Sequence, residues 1–537
     1  MNSKGMIVAP QPEAVEAGAL ALKRGGNAVD AAITCALVQG VVDPQMTGIA
    51  GFGNLQMYLP QAGEHYCVDF HGRSPSVVKP DMWEDLIEGE APDGFGFVLK
   101  GKVNDLGYQS ITVPGSLKAY FEAQTSHGVM DWADVVEPAI NWAEKGFAIR
   151  PQVHEFWSRN DSSGRVLVRD RLAYSASGRK LYFDSNGNLK EPGDIIKNAE
   201  MANSLRQIAK EGADVFYQGA IAQRIAEDMI ANEGLLTLED LNNYSTIRCA
   251  PLWGEYRGAR YSTNDPPGGG IMLVEMLNIL ENFDLKAMGH NSVDYIRVIA
   301  EAMKRATSDK DDFVGDPAFF DVPVERLTSK KYAAEMAEAI KAGEKASVVR
   351  YQATGKESAN TTHVAVVDKS GNAVTMTHSL GMPSGVITDG LGFMYNGCMA
   401  VFDPRPGRAD SLAPGKSRFT SLCPTIVFDG DKPQIVLGAP GGTQIAMGVL
   451  QSILNLLDFD MDMQQAVSAP RFSSTSDAID VCNRIPAYTT DQLAAQGYEI
   501  RRSHLSFAFA MVHGIQIRDG EMNGGADPAG DGMALSI

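Results

Sequence analysis

The sequence predicts an α+β protein in which layers of helices pack on stacked β-sheets. Three observations lead there. Amphipathic helical patterns occupy the start and the middle of the chain, Val-rich runs of strand character gather in other stretches, and the two kinds segregate rather than alternate regularly. No internal repeat and no Pro-, Ser- or Gly-rich linker divides the 537 residues.

Pro12 to Arg24 reads as an amphipathic helix stopped by Gly25-Gly26, and Asn27 with Asp30 three residues on reads as an N-cap opening a second helix. Asn54 to Leu59 and Tyr66 to Phe70 are β-prone runs, and Val113-Pro114-Gly115 is a turn leading into a helix from Ser116. Ala334 to Lys345 closes a helix, and Tyr351 to Asn360 is polar and aperiodic, which predicts an exposed loop. The pattern then changes: His363 to Asp368 and Ala373 to His378, joined by Lys-Ser-Gly-Asn, form a hairpin whose Val-rich arms predict burial on both faces. Ile435 to Leu437, a turn over Gly438 to Gly442 and a helix over Ile445 to Leu457 make a strand-turn-helix unit.

Composition excludes several functions. A formal charge of -19 and a pI near 5.0 oppose binding to a phosphate backbone, which needs clustered Lys and Arg, so no nucleic-acid partner is expected. The opening MNSKGMIVAPQPEA lacks the basic flank and apolar run of a secretory leader, which points to the cytoplasm. The longest apolar stretch, Ala31 to Val42, contains Gln39 and falls short of the ~20 residues that span a bilayer, so no membrane partner is expected. Six scattered cysteines form no CxxC pair and nine histidines no HExxH spacing, so neither a disulfide frame nor a metal is implied.

Thr361 stands where the polar loop meets the buried strand. A threonine there can attack the carbonyl before it, form an ester and, after hydrolysis, become a new N-terminus. Its hydroxyl would then share a residue with an α-amine whose reference pKa is about 7.7–8.0, a base suited to activating it, with no Ser-His-Asp triad required. Strand alternation places His363 on the face of Thr361 and turns Thr362 away.

The chain resembles the gamma-glutamyltranspeptidase family through motifs that recur in order along nearly its whole length. They are GGNAVDAA from Gly25, MTGIAG from Met46, TVPG from Thr112, PPGGG from Pro266, VGDPAFF from Val314, TTHVAVVDKSGNAV from Thr361, TSLCPTIV from Thr420, GAPGG from Gly438 and SAPRF from Ser468. The resemblance implies a four-layer αββα sandwich, self-cleavage at Asn360-Thr361 into a large chain of residues 1–360 and a small one of 361–537, and no cofactor. Both chains would share one intertwined domain, and further pairing of such heterodimers stays open. It implies Thr361 as nucleophile, Ser379 as the hydroxyl that assists it, the Gly441 and Gly442 amides as an oxyanion hole, and Thr420 and Ser421 as partners of the substrate carboxylate.

The chain departs from the family pattern around the substrate. The family's D-x-R-E-x-A-P is here Asp69-Phe-His-Gly-Arg-Ser-Pro75, so Arg73 or His71 takes the place of the substrate arginine. Val401 and Cys398 stand where the family holds the glutamyl amine, Asp403 lies two residues on, Gly381 replaces an asparagine, and the Asp403 to Arg418 loop is short. These changes favour hydrolysis of an amide of another small, carboxylate-bearing acyl group over true glutathione hydrolysis or glutamyl transfer. Three rivals are weaker. A phosphate loop at Gly415-Lys416-Ser417 fails because Asp410 stands where its first glycine belongs, Ser384 lacks the glycine a GxSxG elbow needs, and an inactive binding protein has no reason to keep Thr361, Ser379, Gly441 and Gly442.

Overall fold

The structure, a computed structural model, describes residues 5–91, 94–160, 164–348 and 361–537. Its two large sheets are antiparallel throughout, and only their strands are numbered here. In chain order they are β1 Gly5–Ala9, β2 Phe52–Leu59, β3 Glu64–Phe70, β4 Ile247–Cys249, β5 Leu252–Tyr256, β6 Ala259–Thr263, β7 Thr362–Asp368, β8 Ala373–Ser379, β9 Thr425–Asp429, β10 Lys432–Gly438, β11 His513–Arg518, β12 Glu521–Ala526 and β13 Met533–Ser536. One sheet runs β13-β1-β7-β8-β2-β3-β4 and the other β12-β11-β10-β9-β6-β5.

The layers follow from the two faces of β7, whose seven residues are all buried. Val364 and Val366 pack into a core with helices α1 (Pro12–Lys23), α2 (Ala28–Val42) and α3 (Ser116–His127). Ala365 and Val367 turn the other way, onto Ile426, Phe428 and Val436 of the second sheet. The far face of that sheet meets α4 (Gly270–Leu280), α5 (Val293–Phe313) and α6 (Ile445–Leu457) around Val427, Ile435 and Leu437. The result is a four-layer αββα sandwich, with the Val-rich hairpin in its interior.

Several local expectations meet the structure closely. Asn27 caps α2 in a reciprocal capping box with Asp30, and every residue of α2 is buried, which explains its uninterrupted apolar run. The helix expected to close at Lys345 instead spans Lys330–Lys341. The strand β1, between β13 and β7, has no counterpart in the sequence reading.

Asp368 ties the nucleophile strand to the first helical layer. One carboxylate oxygen accepts from the backbone N–H groups of Ser370 (2.8 Å) and Asn372 (3.2 Å), the other from Ala28 N–H (3.0 Å) and Asn372 Nδ2 (2.8 Å). Removing the acceptor leaves the buried Ala28 N–H unsatisfied, whereas the Ser370 and Asn372 donors can turn to water, so Asp368→Ala is expected to cost about 1–3 kcal/mol, read as a lower urea midpoint.

Candidate active site

The register of the β7–β8 hairpin assembles the centre of the site. Thr362 faces His378, so the residues one step outward, Thr361 and Ser379, face each other. Thr361 Oγ1 donates to Ser379 Oγ at 3.1 Å, and the same Ser379 oxygen accepts from Gly381 N–H at 2.8 Å. Both residues are buried.

Behind the hydroxyl pair lies a polar network that anchors the strand. Gln39, the one glutamine on α2, donates from Nε2 to Thr362 Oγ1 (3.0 Å), His363 O (3.2 Å) and Gln11 Oε1 (2.7 Å). Its Oε1 can only accept, so His378 Nε2, 2.8 Å away, carries the ring proton, and His378 Nδ1 accepts from Thr47 (2.9 Å) and Tyr120 (2.5 Å). His363 bonds Thr377 Oγ1 at 2.9 Å and presses its ring on Gly438, where a Cβ would come within 2.3 Å of it.

Burial keeps these imidazoles neutral. It lowers His378 to about 3 and His513 to about 4, and drives His363 well below the ordinary value. None is a base at neutral pH that needs charging. Because the folded values lie below the unfolded one near 6.5, their stabilising contribution is complete above about pH 6.5 and is lost as pH falls towards 4. Asp410 and Asp480, pushed up to about 6 by burial, pull the opposite way. A His378→Asn variant is therefore expected to show a shallower loss of stability between pH 6 and 4, by about 1.4 kcal/mol per pH unit, in urea titrations.

The Gly438 to Gly442 turn closes the other side. Gly441 adopts φ 149°, ψ 24° and Gly442 φ 56°, after which a short 3₁₀ turn leads into α6. A Cβ on Gly441 would lie 2.6 Å from Ala510 Cα, so the close approach requires glycine. Among the described residues, neither the Gly441 nor the Gly442 N–H has a hydrogen-bond acceptor.

Thr361, Ser379, Gly442 and Thr420 line one cavity, walled by Phe52, Phe95, Met382, Leu422 and Ile445. Gly441 and Ser421 adjoin it in the chain but do not line it, and Asn360 lies outside the described residues. Arg73 and His71 are not cavity residues. Arg73 donates to Ser245 O (2.9 Å) beside the Tyr244 ring, and burial, which would raise Asp69, is outweighed by His71 and Arg73, which hold that carboxyl below its usual value. His71 bonds Asp69 through Nδ1, and its ring lies 5.9 Å from Phe52, one side chain behind the cavity wall. The arginine that lines the cavity is Arg418, which sequence reasoning missed. A second cavity, in the first helical layer between Val41 and Phe393, shares no residue with this one.

The other motifs brace the site. In PPGGG, Pro267 O accepts from Thr420 N–H (2.9 Å) and Gly269 N–H donates to Leu422 O (2.9 Å), so this glycine-rich run backs the substrate loop and cradles no phosphate. Asp316 of VGDPAFF accepts from Ser417 N–H at 2.8 Å. Lys416 spends its ammonium on Ala409 O and Ser411 O, and Ser384 donates to Tyr395 O, which removes the phosphate-loop and serine-elbow readings. Asp403 is held by both Nε and Nη2 of Arg405 and is not available to a substrate amine.

Residues 14–537 match the family model described as Gamma-glutamyltranspeptidase. The chain is 36% identical to the acylase ACY 1 proenzyme of Pseudomonas sp. (strain V22), over 100% of this chain and 94% of that one. It is 33% identical to the glutathione hydrolase proenzyme of Escherichia coli (strain K12), over 98% and 90%. Its fold superposes on the crystal structure of cephalosporin acylase from Bacillus halodurans with a TM-score of 0.87 at 28% identity, covering 99% of this chain and 96% of that one. With its hairpin, glycine turn and Thr361–Ser379 hydroxyl pair arranged in this sandwich, the chain belongs to the gamma-glutamyltranspeptidase family.

Proposed function

We propose that the protein is a self-processing amide hydrolase that works through an acyl ester on Thr361, with a small, carboxylate-bearing acyl group as its donor. The observation that carries this reading is the meeting, at one cavity, of the Thr361–Ser379 hydroxyl pair with a glycine turn whose Gly441 and Gly442 N–H groups have no acceptor among the described residues. Scission of Asn360-Thr361 would yield chains of 1–360 and 361–537 and free the Thr361 α-amine. That amine takes the hydroxyl proton as Oγ1 attacks the substrate carbonyl, while Ser379 holds the hydroxyl in place. The oxyanion is received by the Gly441 and Gly442 N–H groups, the C–N bond breaks, and the leaving amine takes the proton. Water, activated by the same α-amine, then hydrolyses the ester.

The names of the relatives support amide hydrolysis from a proenzyme: one is an acylase, the other a glutathione hydrolase. The test is an acid quench during turnover of an acyl p-nitroanilide. The chain beginning at Thr361 is expected to gain the mass of the acyl group, localised to its N-terminal peptide. Anilide release with the adduct on another residue would sink this mechanism.

A further inference from the structure

We infer that Arg418 anchors the carboxylate of the acyl donor, and that the site selects an acyl chain carrying a carboxylate but no ammonium group. This rests on the function proposed above.

Among the described residues Arg418 is the only charged one on the cavity wall, and it is 1% exposed. Its guanidinium is held in place by neutral groups. Nη1 donates to Phe419 O at 2.7 Å, Nη2 lies 3.8 Å from Cys398 Sγ, and the Phe52 and Phe95 rings flank it at 4.6 and 5.1 Å. Nε is buried with no partner. Among the described residues it forms no ion pair; Asp410 feels its charge but shares it with Lys416 and Lys310 and is bonded to Phe419 N–H. Burial raises the Cys398 thiol despite the guanidinium beside it, so that neighbour stays neutral.

A fixed, desolvated cation with spare donors is costly until an anion arrives, and a planar fork suits a carboxylate above other anions of that size. Among the described residues the same wall carries no carboxylate to pair with an ammonium. Asp403, the nearby acid in the chain, is paired with Arg405. Gly381, at φ 65°, leaves the approach open: a Cβ there would sit 3.0 Å from Cys398 Sγ and 3.7 Å from Arg418 Nη2. A buried, unpaired substrate ammonium next to a guanidinium would be repelled and stripped of water together.

The test uses three p-nitroanilides of matched length on the full, self-processed protein: glutaryl (carboxylate only), gamma-glutamyl (carboxylate and ammonium) and pentanoyl (neither). Wild-type kcat/KM is expected to favour glutaryl over each of the others by about 100-fold. Arg418→Met is expected to lower the glutaryl-to-pentanoyl ratio by about 100-fold, and Arg418→Lys, which keeps charge but not the fork, by less. Melting of the wild type gives a readout independent of turnover and of variant folding: glutarate is expected to raise Tm and pentanoate to leave it unchanged. A cut, active enzyme that turns over pentanoyl or gamma-glutamyl as fast as glutaryl, or is stabilised equally by both acids, overturns this inference and leaves the proposed function standing. A chain that stays uncut and inactive overturns the function itself.

Discussion

Thr361→Ala is expected to yield one uncut chain of 57.8 kDa where the wild type gives two fragments, and to lower turnover by a factor on the order of 10⁶. Both effects come from one oxygen. Thr361 Oγ1 is the atom held against Ser379, and alanine, which ends at Cβ, leaves that place without a nucleophile for either the backbone or the substrate. Thr361→Ser separates the contributions. It keeps the hydroxyl but loses the γ-methyl that restricts χ1, so it is expected to cut itself and to turn over more slowly than the wild type. Intact masses and the N-terminal sequence of the smaller fragment measure the first effect, initial rates the second. Two fragments from the alanine variant, with the smaller still beginning at position 361, would remove Thr361 from both roles.

Gly441→Ala is expected to lower kcat by about 100- to 1,000-fold, the cost of losing one preorganised donor to an oxyanion. The reason is steric as well as electronic. At φ 149° a side chain is strained, and its Cβ would fall 2.6 Å from Ala510 Cα and 2.7 Å from Ala510 Cβ, so the turn must move away from Ala510 and carry its N–H with it. Self-cleavage passes through the same kind of tetrahedral centre, so processing is expected to slow in parallel. Steady-state kinetics on fully processed protein give kcat, and the time course of fragment formation gives the processing rate. An unchanged kcat would place the oxyanion elsewhere.

The parts of this fold legible in the sequence are those whose signal is local. The hairpin at His363 to His378 announced itself by Val-rich arms around a Gly-containing turn, and the helix at Ile445–Leu457 followed a glycine run that had to end a strand. β1 gave no such signal: all five residues are buried and therefore apolar, without alternation, and its partners β7 and β13 lie more than 350 residues away. Gln39 was visible only as a polar interruption of an apolar stretch, and its meaning depends on a strand elsewhere in the chain. Arg418 was hidden for a related reason. In Lys416-Ser-Arg-Phe it reads as an ordinary basic surface segment, and only the packing of Phe52 and Phe95 makes it an interior cation. Its one sequence signal was its place two residues before Thr420. Arg73, chosen by its position in a divergent motif, instead turns to Ser245 and Asp69.

The order of strands in the first sheet, β13-β1-β7-β8-β2-β3-β4, has a consequence for reversibility. With the backbone opened before Thr361, β1 from the larger fragment would lie wedged between β13 and β7 of the smaller. Each fragment would hold an incomplete sheet whose exposed edges only the other can satisfy. Before the cut, unfolding and refolding are unimolecular, since one covalent thread returns every strand to its neighbours. After it, the two pieces must find each other in dilute solution and interdigitate, so heat that merely opens the precursor would permanently inactivate the processed enzyme.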